Sequence, residues 1–168
     1  MNISGYIKES IVDGIGLRSV IFISGCYHKC PGCHSPQTHD KFYGEELSVE
    51  RQREIISEIK SNPLLDGITL SGGDPFFSAG EMLPFIKLLK GEIPDINIWA
   101  YTGFTFEWLI KNKNNVMYRL LRECDVLVDG KFILEERDTT LLFKGSLSQR
   151  IIDVKESLNE CRPIIYMS

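Results

Sequence analysis

Ser19-Val20-Ile21-Phe22-Ile23-Ser24 runs straight into Gly25-Cys26-Tyr27-His28-Lys29-Cys30-Pro31-Gly32-Cys33. The first stretch is apolar and rich in β-branched residues, the pattern of a short buried strand. The second opens with glycine and spaces its cysteines as C-x3-C-x2-C. In parallel α/β folds, ligands gather where strands end, at their C-terminal edge. A strand that delivers a cysteine loop at that edge sets the expectation for the rest of the chain.

Outward from this unit the pattern repeats. Leu47 to about Ser61 reads as a helix, with Ile55, Ile56 and Ile59 on one face and Ser48 as its N-cap. Gly67-Ile68-Thr69-Leu70 is a second strand, followed by the turn Ser71-Gly72-Gly73-Asp74-Pro75. Ser78-Ala79-Gly80-Glu81 fits a capping box for a helix carrying Met82, Phe85, Ile86 and Leu89, and Pro84 is expected to displace its start. Ile96 to Tyr101 is a third strand ending in Thr102-Gly103. A helical region from Phe106 to Glu123, with a break expected at Lys111–Asn115, leads to the strand Asp125-Val126-Leu127-Val128 and the turn Asp129-Gly130. Gln149–Val154 and Pro163–Met167 read as further short strands.

Strands alternating with helices imply βαβ units and a mainly parallel sheet with right-handed crossovers. A complete eight-unit barrel needs about 250 residues. A chain of 168 residues supplies part of one, so the expected fold is an open, incomplete βα barrel formed by a single domain, residues 1–168. Its four glycine-rich or polar turns then converge on one rim.

Composition narrows the function. The net charge is −4 and the basic residues are scattered, which sets nucleic acid aside as a partner. No apolar run reaches the ~20 residues that cross a bilayer. Met1 to Lys8 lacks the apolar middle of a signal peptide, so the cytoplasm is the expected location. Five cysteines, an odd number with three crowded together, argue against a disulfide framework.

Three thiolates on one short loop can hold three corners of a cubane iron–sulfur cluster, leaving one iron open to a small molecule. A structural zinc site is the plain alternative, with His28, His34 or His39 as fourth ligand. A redox dithiol formed by Cys30 and Cys33 is another, and it leaves Cys26 without a task.

C-x3-C-x2-C directly after the first strand, then Gly-Gly-acid-Pro after the second, resembles the radical S-adenosylmethionine superfamily. The resemblance implies a [4Fe–4S] cluster on Cys26, Cys30 and Cys33, with S-adenosylmethionine chelating the open iron. It implies a cofactor contact at Gly73, and Gly32, Cys33 and His34 along the nucleoside. Two departures mark a branch: Gly32 stands where many members have an aromatic residue, and Asp74 where many have glutamate.

Further pieces resemble the glycyl-radical-enzyme activases, in the branch serving anaerobic ribonucleoside-triphosphate reductase. They are Asp13-Gly14-Ile15-Gly16-Leu17-Arg18, Tyr101-Thr102-Gly103-Phe104-Thr105, Asp125 to Phe132, and Gly145-Ser146-Leu147-Ser148-Gln149-Arg150. What this branch implies is reductive cleavage of S-adenosylmethionine to a 5′-deoxyadenosyl radical, which takes hydrogen from a glycine of the reductase. The implied partners are the glycyl-radical subunit of that reductase and an electron donor such as flavodoxin. Thr102 and Asp129 are then expected around the methionyl carboxylate, with turn capping as the plain reading. Arg18 could steer that carboxylate or simply be solvated. Gln149 and Arg150 match the branch without a mechanism. Cys124 and Cys161 read as buried hydrophobes, Trp99 and Trp108 as packing residues, and His39 as surface. Two other functions stay open: a radical enzyme acting on a small molecule, and a zinc-stabilised module without catalysis.

Overall fold

The computed structural model describes residues 1–168. Its strands are β1 (Asn2–Ser10), β2 (Arg18–Ile23), β3 (Glu45–Glu46), β4 (Gly67–Gly72), β5 (Asn97–Tyr101), β6 (Val126–Asp129), β7 (Arg150–Asp153) and β8 (Ile165–Met167). The helices are α1 (Val49–Ser61), α2 (Ala79–Glu92), α3 (Phe106–Ile110), α4 (Val116–Leu121) and α5 (Val154–Glu160). One eight-stranded sheet runs β3-β1-β2-β4-β5-β6-β7-β8 and does not close.

The sheet is less parallel than expected. β2, β4, β5 and β6 form a parallel centre, whereas β1 and β3 on one side and β7 and β8 on the other pair antiparallel. Antiparallel neighbours need no crossover helix, so they extend the sheet with little chain. β1 escapes the sequence reading because Asn2–Ser10 is mostly polar and half-exposed, and its ladder to β2 is interrupted by register shifts.

One face of the sheet is covered by helices. Ile21, Ile23, Ile68, Leu70, Ile98, Ala100 and Leu127 pack there with Ile55 and Ile59 of α1, Phe85 and Ile86 of α2, Phe106 of α3, and Leu120 and Leu121 of α4. The alternate strand residues point to the other face, as the two-residue period of a strand requires. There Trp99, Val126, Val128 and Ile151 form a smaller cluster with Tyr101, Phe143 and Met167.

Local expectations fare unevenly. Ser48 caps α1, its side chain accepting from the Arg51 amide at 3.2 Å, and the break between α3 and α4 falls at Lys111–Asn115. The capping box at Ser78 does not form: the Ser78 side chain makes no cap bond, and Glu81 pairs instead with the N-terminal ammonium of Met1. Pro84 sits inside α2 without displacing its start at Ala79. Cys124 is buried as expected, but Cys161 is exposed, at the end of α5 in the left-handed conformation (φ 53°). Trp99 is buried, whereas Trp108 is 45 % exposed and stacks on Phe104. His39 is only partly exposed, its Nε2 buried without a partner. No helix is long and apolar enough to cross a membrane.

Arg18 departs most from expectation. It begins β2, at the rim opposite the cysteine loop, and is 1 % exposed. Its guanidinium donates to Thr69 Oγ1 (2.9 Å), the carbonyls of Ile15 (3.1 Å), Ile68 (2.6 Å) and Asn97 (3.1 Å), and Asn97 Oδ1 (3.0 Å). It also lies over the Trp99 ring. Thr69 Oγ1 in turn donates to the Asp13 carbonyl at 2.7 Å, so the Asp13–Arg18 segment is laced across that end of the sheet. Gly14 (φ +136°) is required there: a Cβ would lie 2.8 Å from Arg18 and 3.0 Å from Trp99. The motif closes one end of the inner face and lies away from the cofactor edge.

Candidate functional site

Because β2, β4, β5 and β6 are parallel, the segments following them share one rim. From β2 comes the cysteine loop, from β4 the turn at Gly72-Gly73-Asp74-Pro75, from β5 Thr102-Gly103 and from β6 Asp129-Gly130. The expected convergence therefore holds for all four.

Asp74 joins three of them. It is 1 % exposed, and its Oδ2 accepts from His28 Nε2 (2.9 Å), Thr102 Oγ1 (2.8 Å) and the Gly103 amide (2.9 Å). Its Oδ1 accepts from the Phe76 amide at 2.9 Å. A buried carboxylate is tolerable only when so satisfied. Backbone bonds reinforce the junction: the Gly73 amide donates to Ile23 O (2.7 Å), the Asp74 amide to Gly25 O (3.1 Å) and the Gly25 amide to Thr38 O (2.7 Å). Gly103 must lack a side chain, since a Cβ would lie 2.4 Å from the His28 ring.

Asp129 anchors the fourth turn. Its Oδ1 accepts from Arg150 Nε (2.9 Å), and its Oδ2 from the Arg150 guanidinium (2.5 Å) and the Phe106 amide (2.7 Å). Arg150 also grips Glu107 with two bonds, at 2.9 and 2.8 Å. These bonds, to Asp129 first and then Glu107, raise the guanidinium above its ordinary value. Gln149 works beside it. Its Nε2 donates to Gly130 O (3.1 Å), and its Oε1 accepts from the amides of Gly145 (2.9 Å) and Ser146 (3.2 Å). These two residues, left without a role by the sequence, fasten the segment after β6 to the rim. Spacing gave no signal for either, because their partners lie 19 or more positions away or in a loop with no periodicity.

The cysteines are all free thiols. Cys26 is buried, and burial pushes its thiol up to about 11, so iron binding there must displace a proton. Cys30 and Cys33 are more open, and the Cys33 amide closes a turn onto Cys30 O at 3.1 Å. Lys29, in the left-handed region at φ 49°, bends the loop between Cys26 and Cys30. Gly32, Cys33 and His34 form one wall of a cleft of about 600 Å³. The opposite wall comes from Phe132 to Gly145 and carries Arg137 and Lys144. Gly32 takes the left-handed conformation that favours glycine (φ +71°), and a side chain there would press on Leu134, which suits glycine at the position that departs from the superfamily pattern.

The donor set fits an iron–sulfur cluster. Thiolates are its natural ligands, and cubane corners take sulfurs held apart on a loop. The structure gathers no three His, Cys, Asp or Glu side chains about one point, the three loop cysteines included. Of the candidate fourth ligands for zinc, His28 is committed to Asp74 and wedged between Phe77 and Phe104.

An open α/β sheet that presents three free cysteines at its ligand edge is the arrangement expected of an iron–sulfur protein. Comparison with known families agrees: residues 12–152 match the family described as "4Fe-4S single cluster domain". The chain is 36% identical over 154 residues to the anaerobic ribonucleoside-triphosphate reductase-activating protein of Haemophilus influenzae, covering 90% of this chain and 97% of that one. Its counterpart in Vibrio cholerae is 38% identical over the same shares, and that of Escherichia coli K12 is 33% identical over 89% and 96%. The chain belongs to the family of anaerobic ribonucleoside-triphosphate reductase-activating proteins.

Proposed function

We propose that this protein activates an anaerobic ribonucleoside-triphosphate reductase by generating a glycyl radical on it, working in the cytoplasm as a radical S-adenosylmethionine enzyme. The observation that carries the reading is the junction at Asp74, which holds a three-cysteine loop against the turns from β4 and β5. When bound, a [4Fe–4S] cluster held by Cys26, Cys30 and Cys33 would supply the electron for reductive cleavage of S-adenosylmethionine, whose products would be methionine and the 5′-deoxyadenosyl radical that takes a glycine Cα hydrogen.

The chain's own residues position these reactants. Cys26, Cys30 and Cys33 hold the cluster. The backbone of Gly73 seats the methionyl end. Thr102 and Asp129 frame that seat through the turns they fix, Thr102 by its bond to Asp74 and Asp129 by its bonds to Arg150 and Phe106. Gly32, Cys33 and His34 flank the nucleoside along the cleft. On this reading the open sheet is an incomplete barrel of the radical S-adenosylmethionine type, and its missing side admits a polypeptide loop of the reductase. Leu142, exposed in the segment that forms the far wall of that cleft, gives the loop an apolar approach. The electron comes from a one-electron donor such as a flavodoxin.

The test is anaerobic reconstitution. With reductant, S-adenosylmethionine and the reductase, the wild type should produce a glycyl-radical EPR signal. Each of Cys26→Ala, Cys30→Ala and Cys33→Ala should lose iron and the signal, while Cys124→Ala and Cys161→Ala keep both. A colourless protein that carries zinc, or radical formation surviving loss of any of the three cysteines, would refute the assignment.

A further inference from the structure

Residues 27–33 span two of the three cysteines, yet a single hydrogen bond ties them to the sheet's other turns: His28 Nε2 to Asp74 Oδ2. Within the loop, the Cys33 amide meets Cys30 O and leads nowhere else. The seat of His28 is built for it. Its side chain is 8 % exposed, Phe104 meets its ring edge-on at 4.6 Å, Phe77 lies 5.0 Å away, and Gly103 leaves the space that the ring fills. Asp74, which receives the bond, belongs to the Gly-Gly turn and also holds Thr102 and Gly103.

We infer that His28 is a positioning residue: through Asp74 it fixes the turn between Cys26 and Cys30 in register with Gly72–Gly73 and Thr102–Gly103. It thereby sets where the amino-acid end of S-adenosylmethionine lies relative to the cluster. The inference rests on the function proposed above and adds the device that joins cluster and cofactor seat. It also explains the short acid. From Cα, aspartate reaches the histidine, the threonine hydroxyl and the Gly103 amide with one oxygen, and the following turn with the other. His28 touches no reacting atom and need not do so.

Two substitutions separate the bond from the shape. His28→Phe keeps the ring among Phe77 and Phe104 and removes the donor; His28→Gln keeps a donor. Both are reconstituted anaerobically, and three quantities are read: iron and sulfide per chain, S-adenosylmethionine affinity by equilibrium dialysis, and the change in the reduced-cluster EPR spectrum when S-adenosylmethionine is added. His28→Phe should keep its full cluster but bind S-adenosylmethionine about tenfold more weakly, the scale of one lost bond to a charged group. Its EPR spectrum should respond only at correspondingly higher concentration. His28→Gln should stay within about threefold of wild type on the same scale. Wild-type affinity and EPR response in His28→Phe would overturn the inference. So would equal losses in both variants, which would assign the role to ring shape, and so would loss of iron from His28→Phe, which would assign the tie to cluster retention. A wild-type protein that takes up no iron or does not bind S-adenosylmethionine sinks the underlying reading, and the inference with it.

Discussion

The two ends of the sheet's parallel centre are organised around opposite charges. At the ligand rim a buried carboxylate, Asp74, collects donors from three turns. At the far rim a buried cation, Arg18, is surrounded by neutral acceptors from Ile15, Ile68, Thr69 and Asn97. Burial pushes the Arg18 guanidinium down to about 10, leaving it charged at neutral pH. Both motifs look like catalytic signatures in sequence, glycine beside a charged residue. The difference is direction. Arg18 turns inward beneath Trp99 and stops one end, whereas Asp74 spans loops that remain open to a cleft. A charged residue buried at one end of a fold can thus be a stopper, and at the other a frame.

This contrast breaks first, and with the largest effect, at the closed end. Arg18→Met strands several buried acceptors, and each unsatisfied group costs about 1–3 kcal/mol. The variant should lose about 3 kcal/mol or more of stability in urea unfolding. Gly14→Ala should lose about 2–4 kcal/mol, combining left-handed strain with overpacking against Arg18 and Trp99. If Arg18→Met were as stable as wild type but unable to bind S-adenosylmethionine, Arg18 would belong to the site and the contrast would be wrong.

The open end has a depth of its own, which alkylation can sharpen. In the cluster-free protein, burial raises Cys26 to about 11 and Cys124 to about 12, while Cys30, Cys33 and Cys161 are reachable. A higher value lowers the thiolate fraction but strengthens each thiolate as a nucleophile, so the net slowing is about tenfold or more. Iodoacetamide followed by peptide mass spectrometry should therefore label Cys30, Cys33 and Cys161 first. Cluster loading should then protect Cys30 and Cys33 and leave Cys161 reactive. Equal labelling of Cys26 and Cys30 in the cluster-free chain would contradict the layering of the loop.

What the sequence reveals follows the range of the forces involved. The strands β2, β4, β5 and β6, helix α1 and the convergence of four turns are legible because each depends on local periodicity and on glycine or polar residues at strand ends. The cysteine spacing is legible for the same reason. β1 is not, because a polar outer strand is stabilised by its ladder rather than by its own composition. Arg18 could not be read as buried, since its partners come from β4 and β5, 50 and 79 positions away. Likewise His28 looked like a spare metal ligand until Asp74, 46 positions on, was seen to claim it. The glutamate half of the capping box at Ser78 was lost for the same physical reason, a long-range partner in the N-terminal ammonium.

The smallest effect belongs to the border of the open rim, where Arg150 holds a buried carboxylate, Asp129, and a half-exposed one, Glu107. Arg150's hydrogen bonds hold Glu107 below its ordinary value of 4.5. Because the folded value is the lower one, the stability that Glu107 contributes is complete above the ordinary carboxylate range and disappears as pH falls through the folded value. Solvent screening at a half-exposed pair keeps it to about 0.5 kcal/mol. Glu107→Gln should therefore unfold slightly earlier than wild type in urea at neutral pH, with the two curves merging as pH falls through the lowered folded value and the wild-type carboxylate takes up its proton. Added salt should narrow the neutral-pH gap, since the pair is exposed enough to be screened. A gap that persisted unchanged into acid would mean that Glu107 acts by shape, leaving Asp129 as the only charge that Arg150 answers at this rim.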